Sequence, residues 1–80
     1  MSTVSRFEIR AAWDADTLPR LLNYFAQRGL APLRISADLT ETTAFIVIEQ
    51  ASLGARDASI IAEKMRSLVL TEEVVLHQTA

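Results

Sequence analysis

Twice along its 80 residues, the chain changes from a two-residue hydrophobic alternation to a helical hydrophobic stripe and back again. A period of two buries one face of a β-strand, whereas apolar residues spaced three and four apart bury one face of a helix. The order that this pattern predicts is strand, helix, strand, strand, helix, strand. A chain of this length has room for one domain, so we expect a single α+β domain over residues 1–80.

The first half of the chain carries the clearest pattern. Apolar and polar residues alternate over Arg6–Trp13, which predicts the first strand. The first helix follows, and Asp16 is expected to cap it because a carboxylate can accept hydrogen bonds from the free N–H groups of a first turn. Leu21 and Phe25 belong to the buried stripe of this helix, and Gly29 is expected to end it.

The second half predicts two strands, a helix and a last strand. Residues 33–39 alternate again, and residues 44–48 form a continuous apolar run, which is typical of a central strand covered on both faces. Residues 55–69 carry the second helical stripe. Residues 72–73 are expected to form a turn before a short last strand over residues 74–76.

Two amphipathic helices can cover one face of a four-stranded sheet. With right-handed crossovers, the predicted order gives the split βαβ, or ferredoxin-like, arrangement (βαββαβ), an antiparallel sheet in which the first and third strands are central. The side chains expected to face the helices are Phe7, Ile9, Ala11, Ile35, Ala37, Ala44, Ile46, Ile48, Val74 and Leu76. Those expected on the opposite, helix-free face are Arg6, Glu8, Arg10, Arg34, Phe45, Val47, Val75 and His77.

Two apolar residues do not fit a solvent-exposed sheet face. Phe45 and Val47 are expected on the helix-free face, where an apolar patch indicates a partner or a second copy of the domain. With Arg6 and Arg10 around them, they are our candidates for a docking surface. A homodimer can form by pairing edge strands or by packing helix-free faces, and the sequence pattern favours neither of the two.

The composition argues against catalysis and metal binding. The chain has no cysteine, which excludes thiolate sites, and its single histidine, His77, is more typical of a solvated or interface residue than of a ligand. Asp14 and Asp16 form a close carboxylate pair, but a turn residue and a helix cap explain them more simply than a cation site. We therefore expect no enzyme activity, no metal and no cofactor.

Nucleic acid and membranes are also disfavoured as partners. The net charge is −2, with acidic and basic residues interspersed. RNA binding by this fold needs two or three aromatic residues for base stacking, and Phe45 alone is placed for it, so an RNA-binding domain is the least favoured alternative. No apolar run approaches the length of a membrane span and no export signal is visible, and the absence of cysteine favours the cytoplasm.

The turn after the first strand can form a small-molecule site. A helix N-terminus favours a carboxylate, Asp14 can hold an ammonium group, and Trp13 can supply an apolar wall. Together these groups suit an amino acid. The simpler interpretation of Trp13 is a residue that closes the core.

Segments spread over nearly the whole chain carry a resemblance to a known family. They are Phe7–Ala11, Asp14–Leu22, Phe25–Leu30, Ile46–Ile48, Ile61–Met65, Leu68–Val69 and Val74. Together they resemble an ACT domain, and more narrowly the short regulatory small subunits of acetolactate synthase.

The resemblance implies a regulatory subunit that forms a homodimer, docks on a catalytic subunit of the acetolactate synthase type and binds a branched-chain amino acid. It also implies an effector site at the turn between the first strand and the first helix, which here comprises Asp14, Ala15, Asp16, Thr17 and Leu18. Members that bind amino acids usually carry a Pro-Gly pair in this turn, where this chain has Asp16-Thr17. A stand-alone dimerisation or interaction module without a ligand is therefore the alternative.

Overall fold

The computed structural model describes residues 3–79 and has the ferredoxin-like α+β fold expected from the sequence. Its elements in chain order are β1 (Val4–Ala12), α1 (Thr17–Ala26), β2 (Arg34–Leu39), β3 (Thr43–Ala51), α2 (Ala55–Arg66) and β4 (Thr71–Thr79). The strands form one antiparallel sheet in the order β2-β3-β1-β4, so β1 and β3 are central as predicted. Among the described residues, no helix has the length and apolar character needed to cross a membrane.

The core lies between the two helices and one face of the sheet. At its centre the rings of Phe7 in β1 and Phe25 in α1 meet edge to face, with centroids 5.4 Å apart and planes at 83°. α2 contributes a buried stripe, as its helical period predicts. The buried apolar residues of the sheet are Phe7, Ile9, Ala11, Ala44, Ile46, Ile48 and Val74, and those of α2 are Ala58, Ile61, Ala62 and Met65.

Gly29 ends α1, as predicted. Its φ of 69° is in the left-handed region, which residues with a Cβ rarely adopt. The Leu30 N–H donates to the carbonyl oxygen of Phe25 at 2.9 Å, and the Gly29 N–H donates to that of Ala26 at 3.0 Å. These two hydrogen bonds form a Schellman motif, which satisfies the last carbonyl groups of the helix and turns the chain toward β2.

β4 is longer than predicted, and its first residues were wrongly assigned to a turn. Glu72 and Glu73 lie within β4, because the register of this strand against β1 shifts between Arg10 and Ala11 and accommodates an extra residue. Arg10 lies beside both carboxylates, 3.2 Å from Glu72 and 4.0 Å from Glu73. Pairing with a strand distant in sequence therefore overrides the local turn signal.

Two residues assigned to apolar patterns lie beyond the ends of their elements. α2 ends at Arg66, and Val69 is fully exposed in the turn before β4. Trp13 follows the last residue of β1 and is 37% exposed, so it does not close the core as expected. In both cases the apolar pattern continues in the sequence beyond the residue at which the element ends.

The prediction for β2 was right about the face and wrong about its burial. Ile35 and Ala37 pair with Ile48 and Ile46 of β3, which places them on the helix side of the sheet. Every residue of β2 is nevertheless exposed. The reason is that the helices lie toward the other edge of the sheet, where α2 packs on β4 and α1 packs beside α2.

Candidate functional site

The turn between β1 and α1 is held together by Thr17. The side chain of Thr17 is buried, and its hydroxyl donates to the carbonyl oxygen of Ala12 at 2.6 Å. The same hydroxyl accepts a hydrogen bond from the Asp14 N–H at 3.0 Å. One side chain thus connects the end of β1 to the start of α1 and fixes the predicted site, Asp14–Leu18, as a single compact turn.

The backbone donors at this helix end are mostly used within the chain. The Asp16 N–H donates to Oδ1 of Asp14 at 2.9 Å, and the Thr17 N–H donates to the carbonyl oxygen of Asp14 at 3.1 Å. Pro19 has no N–H, so within the segment Thr17–Pro19 of the described chain Leu18 alone keeps an N–H without an acceptor. An uncapped helix offers about four such donors, so a ligand carboxylate finds little to bind here.

The prediction that the Asp16 carboxylate caps α1 was wrong. Asp16 occupies the residue before the helix, but its φ of −88° and ψ of −11° are helical, and its side chain makes no capping hydrogen bond. A capping side chain needs an extended backbone at that residue to reach back to the helix. The Asp14 carboxylate accepts from the turn instead, and Asp16 lies 3.9 Å from Arg20.

An open cleft of about 500 Å³ lies between this turn and the turn that precedes β4. Its lining residues are Asp14, Asp16, Arg20, Ser67, Leu68, Val69 and Leu70. Ala15, Thr17 and Leu18, which were predicted for the same site, do not line it. Two carboxylates and several apolar side chains suit a ligand that carries an ammonium group and a short apolar chain. Arg20 is the one cation of this lining, and it lies 3.9 Å from Asp16, so Asp14 is the carboxylate better placed for an ammonium group.

Removing the Thr17 hydroxyl tests whether it holds this turn. Thr17→Val is expected to lower the free energy of unfolding by about 1–3 kcal/mol, because valine keeps the shape and leaves the Asp14 N–H and the Ala12 carbonyl without their partner. Thr17→Ser keeps the hydroxyl and is expected to lower the free energy of unfolding less than Thr17→Val does. Urea denaturation of both variants measures the difference, and a valine variant as stable as the unaltered chain would show that the hydroxyl is dispensable.

The helix-free face carries the predicted docking residues in neighbouring rows. Arg10 of β1 pairs with Phe45 of β3, and Glu8 pairs with Val47 in the next row. Phe45 is 48% exposed and Val47 is half-buried. The prediction that the apolar run of β3 is covered on both faces was therefore wrong, since only the helix side is covered. Arg6 lies one row further along β1, so the structure brings all four residues onto one surface.

Arg6 and Arg10 on this face are paired with acidic neighbours. Arg6 lies 3.1 Å from Glu8, which also lies 3.1 Å from His77, and Arg10 lies 3.2 Å from Glu72. These side chains are largely exposed, so each pair contributes little to stability. Within residues 3–79, no three acidic or histidine side chains converge in the way that a metal site requires.

The exposed apolar stripe beside the β2 edge is a surface that the sequence prediction missed. Leu33, Ile35 and Leu39 are 62%, 43% and 48% exposed, and they form an apolar stripe along the outermost strand. The alternation over residues 33–39 signals an apolar face, but it carries no information about whether a helix reaches that face. An apolar stripe beside the open backbone groups of an edge strand suits pairing with another strand.

A family model described as an ACT-like domain matches the chain over residues 1–80. The fold is similar to the crystal structure of the ACT domain from GTP pyrophosphokinase of Chlorobium tepidum, with a TM-score of 0.82 and 6% sequence identity over 96% of this chain and 100% of that one. The solution structure of the same domain gives a TM-score of 0.78 at 6% identity, over 95% of this chain and 86% of that one.

A larger protein contains a similar fold as one part. The homoserine dehydrogenase of Thiobacillus denitrificans matches with a TM-score of 0.75 and 14% identity, over 98% of this chain and 17% of that one. A search of curated proteins gave no match. At identities this low, the structural likeness shows the fold alone.

Proposed function

Because the chain belongs to the ACT-like domain family, we propose that it is the small regulatory subunit of an amino-acid biosynthetic enzyme of the acetolactate synthase type. An ACT domain is a regulatory module and is not itself catalytic. In our proposal the chain as a whole has no enzyme activity, resides in the cytoplasm and acts by docking on a catalytic subunit.

The observation that carries this proposal is the exposed apolar surface on the helix-free face. Phe45 and Val47 lie there with Arg6 and Arg10 beside them, and Phe45 is about half exposed. An aromatic side chain on an otherwise charged sheet surface is typical of an interface anchor. Docking through this face leaves the helices and the β2 edge free for other contacts.

We assign the homodimer to the β2 edge rather than to the helix-free face. Two copies of β2 related by a two-fold axis can pair along their open backbone groups and bring the stripe of Leu33, Ile35 and Leu39 together. This arrangement would bury the exposed apolar side chains beside β2, which no helix of the same chain covers. The helix-free face then stays available for the catalytic subunit.

Sedimentation velocity tests both the homodimer and the docking. It is run on the chain alone and on the chain mixed with the acetolactate synthase catalytic subunit of the same organism. We expect a dimer in the first sample and a complex containing both chains in the second. A chain that sediments as a dimer but leaves the catalytic subunit unbound would leave the stand-alone dimerisation module as the function. A monomer that binds nothing would contradict both.

Sensing of an amino acid is a second candidate function, favoured by the cleft of about 500 Å³ beside Asp14 and Asp16. A ligand bound there would place its ammonium group at these carboxylates, because the backbone donors for a ligand carboxylate are mostly occupied. A thermal-shift screen against the twenty amino acids tests it, since a ligand of the folded state raises Tm with concentration. A saturable shift with valine, leucine or isoleucine supports sensing, and a flat response leaves docking alone.

A further inference from the structure

We propose that the helix-free face binds a partner segment in which basic residues flank an apolar side chain. This inference rests on the docking role proposed above and adds the chemistry of the segment that docks. Its basis is an open depression of about 290 Å³ in the sheet surface. The apolar part of this depression is formed by Phe45, Val47 and Val75.

The depression follows two neighbouring rows of the sheet. In one row, Phe45 lies between Asp38 on β2 and Arg10 on β1. In the next row, Val47 and Val75 lie on either side of Glu8 on β1. The apolar side chains are therefore separated by charged ones, and the space between them has the dimensions of a single side chain and its flanking backbone rather than of a broad hydrophobic interface.

Carboxylates outnumber cations around this depression. Its lining includes Glu8, Asp38 and Glu73 but one cation, Arg10. The guanidinium of Arg10 is shared between Glu72, at 3.2 Å, and Glu73, at 4.0 Å. Glu8 is paired with Arg6 at 3.1 Å, so the carboxylates left for a basic partner are Asp38 and, in part, Glu73. Among residues 3–79, no cation lies within ion-pair distance of Asp38.

A lysine or arginine beside an apolar anchor complements this arrangement. The anchor fills the space between Phe45 and Val75, and its basic neighbours meet Asp38 and Glu73 on opposite sides. A second copy of the same face fits worse, because it would bring a second excess of carboxylates against the first. Nucleic acid fits worse for the same reason, since its phosphates would face those carboxylates.

Two short blocked peptides that share a central Leu-Phe pair test the inference on the intact chain. Lysine flanks the pair on both sides in one peptide, and glutamate does so in the other. We expect the lysine peptide to shift the backbone amide resonances of residues 45–47 and 73–75 in NMR titrations, with affinity that falls as salt rises, and the glutamate peptide to leave them in place. Equal shifts from both peptides, or shifts confined to the helices, would overturn the inference.

A charge-reversed pair of variants with equal net charge sharpens the test. Asp38→Lys combined with Glu73→Lys is expected to weaken binding of the lysine peptide by about tenfold. Asp57→Lys combined with Glu63→Lys makes the same change in net charge on the exposed side of α2, in the helix layer on the opposite side of the sheet, and is expected to change binding less than about twofold. Equal losses in the two double variants would assign the effect to net charge and would overturn the inference.

These outcomes are separable from those for the proposed function. If the lysine peptide binds the face and the catalytic subunit does not, the inference stands and the enzyme partner is wrong. If the catalytic subunit binds and both peptides bind equally or both double variants lose equally, the docking role stands and the basic character of the segment is wrong.

Discussion

Replacing Phe45 by aspartate is expected to abolish binding of the catalytic subunit while the domain stays folded. The ring is the largest exposed apolar group of the helix-free face, and truncating a buried aromatic anchor typically costs an interface about 2 kcal/mol or more, which corresponds to roughly a thirtyfold rise in Kd. Aspartate also places a charge where we expect the apolar side chain of the partner to lie, and burying a charge against an apolar group is unfavourable. Sedimentation velocity or calorimetric titration with the catalytic subunit measures the loss.

Ser59→Asp is the matched control for this substitution. Ser59 is exposed on α2, which covers the opposite face of the sheet, so its replacement adds the same charge away from the helix-free face. We expect this control to bind the catalytic subunit normally. Assembly that survives Phe45→Asp would exclude the helix-free face as the docking surface, and circular dichroism shows whether each variant is folded.

Replacing Ile35 by lysine is expected to convert the homodimer to a monomer. Ile35 lies in the exposed stripe of β2, and pairing two copies of this edge would bury a lysine charge against the partner stripe. We expect the dimer Kd to rise by on the order of a hundredfold, because the variant loses an apolar contact and desolvates a charge. Sedimentation equilibrium over a range of protein concentrations measures this change.

The control for the second prediction is the neighbouring residue on the same strand. Ser36→Lys adds the same charge to β2, but Ser36 pairs with Val47 and therefore lies on the helix-free side. We expect this variant to dimerise with an affinity close to that of the unaltered chain. If Ile35→Lys leaves the dimer intact, the β2 edge is not the interface, and the other edge strand or the helices would have to supply it.

Most parts of the fold that were predicted correctly depend on local physics, and the central position of β1 and β3 followed from general rules of chain connection. α1 was located between a turn and Gly29, because its apolar stripe and the glycine that ends it are both recognisable from nearby residues. The sheet faces were also predicted, since the direction of a side chain alternates along every strand whatever it pairs with. Registers such as Arg10 with Phe45 then confirm which residues share the helix-free face.

The parts that were missed depend on contacts between distant segments. Alternation in β2 shows that Ile35 and Leu39 share a face, but whether a helix covers that face is decided by the packing of α1 and α2 elsewhere. Glu72 and Glu73 have the composition of a turn, and their place in β4 follows from a register shift opposite Arg10. No pattern in the sequence carries that information.

The position of the turn between β1 and α1 was predicted correctly, but the hydrogen bonds of its backbone N–H groups were not. The sequence places Asp14 and Asp16 before a helix, which suggests that the backbone N–H groups of its first turn are free to bind a ligand. In the structure Asp14 and Thr17 use those donors themselves. Which of several nearby acceptors a backbone N–H chooses depends on the backbone angles of the turn, and these do not follow from residue type alone.

The position of β1 in the middle of the sheet has a consequence for biosynthesis on the ribosome. One side of β1 pairs with β4, and the hydroxyl of Thr79 donates to the carbonyl oxygen of Val4 across 75 positions of sequence. A nascent chain therefore carries an open central strand until β4 has left the exit tunnel, and closing so long a loop is a slow step in folding. Translational pauses within or before β4 would prolong that exposure.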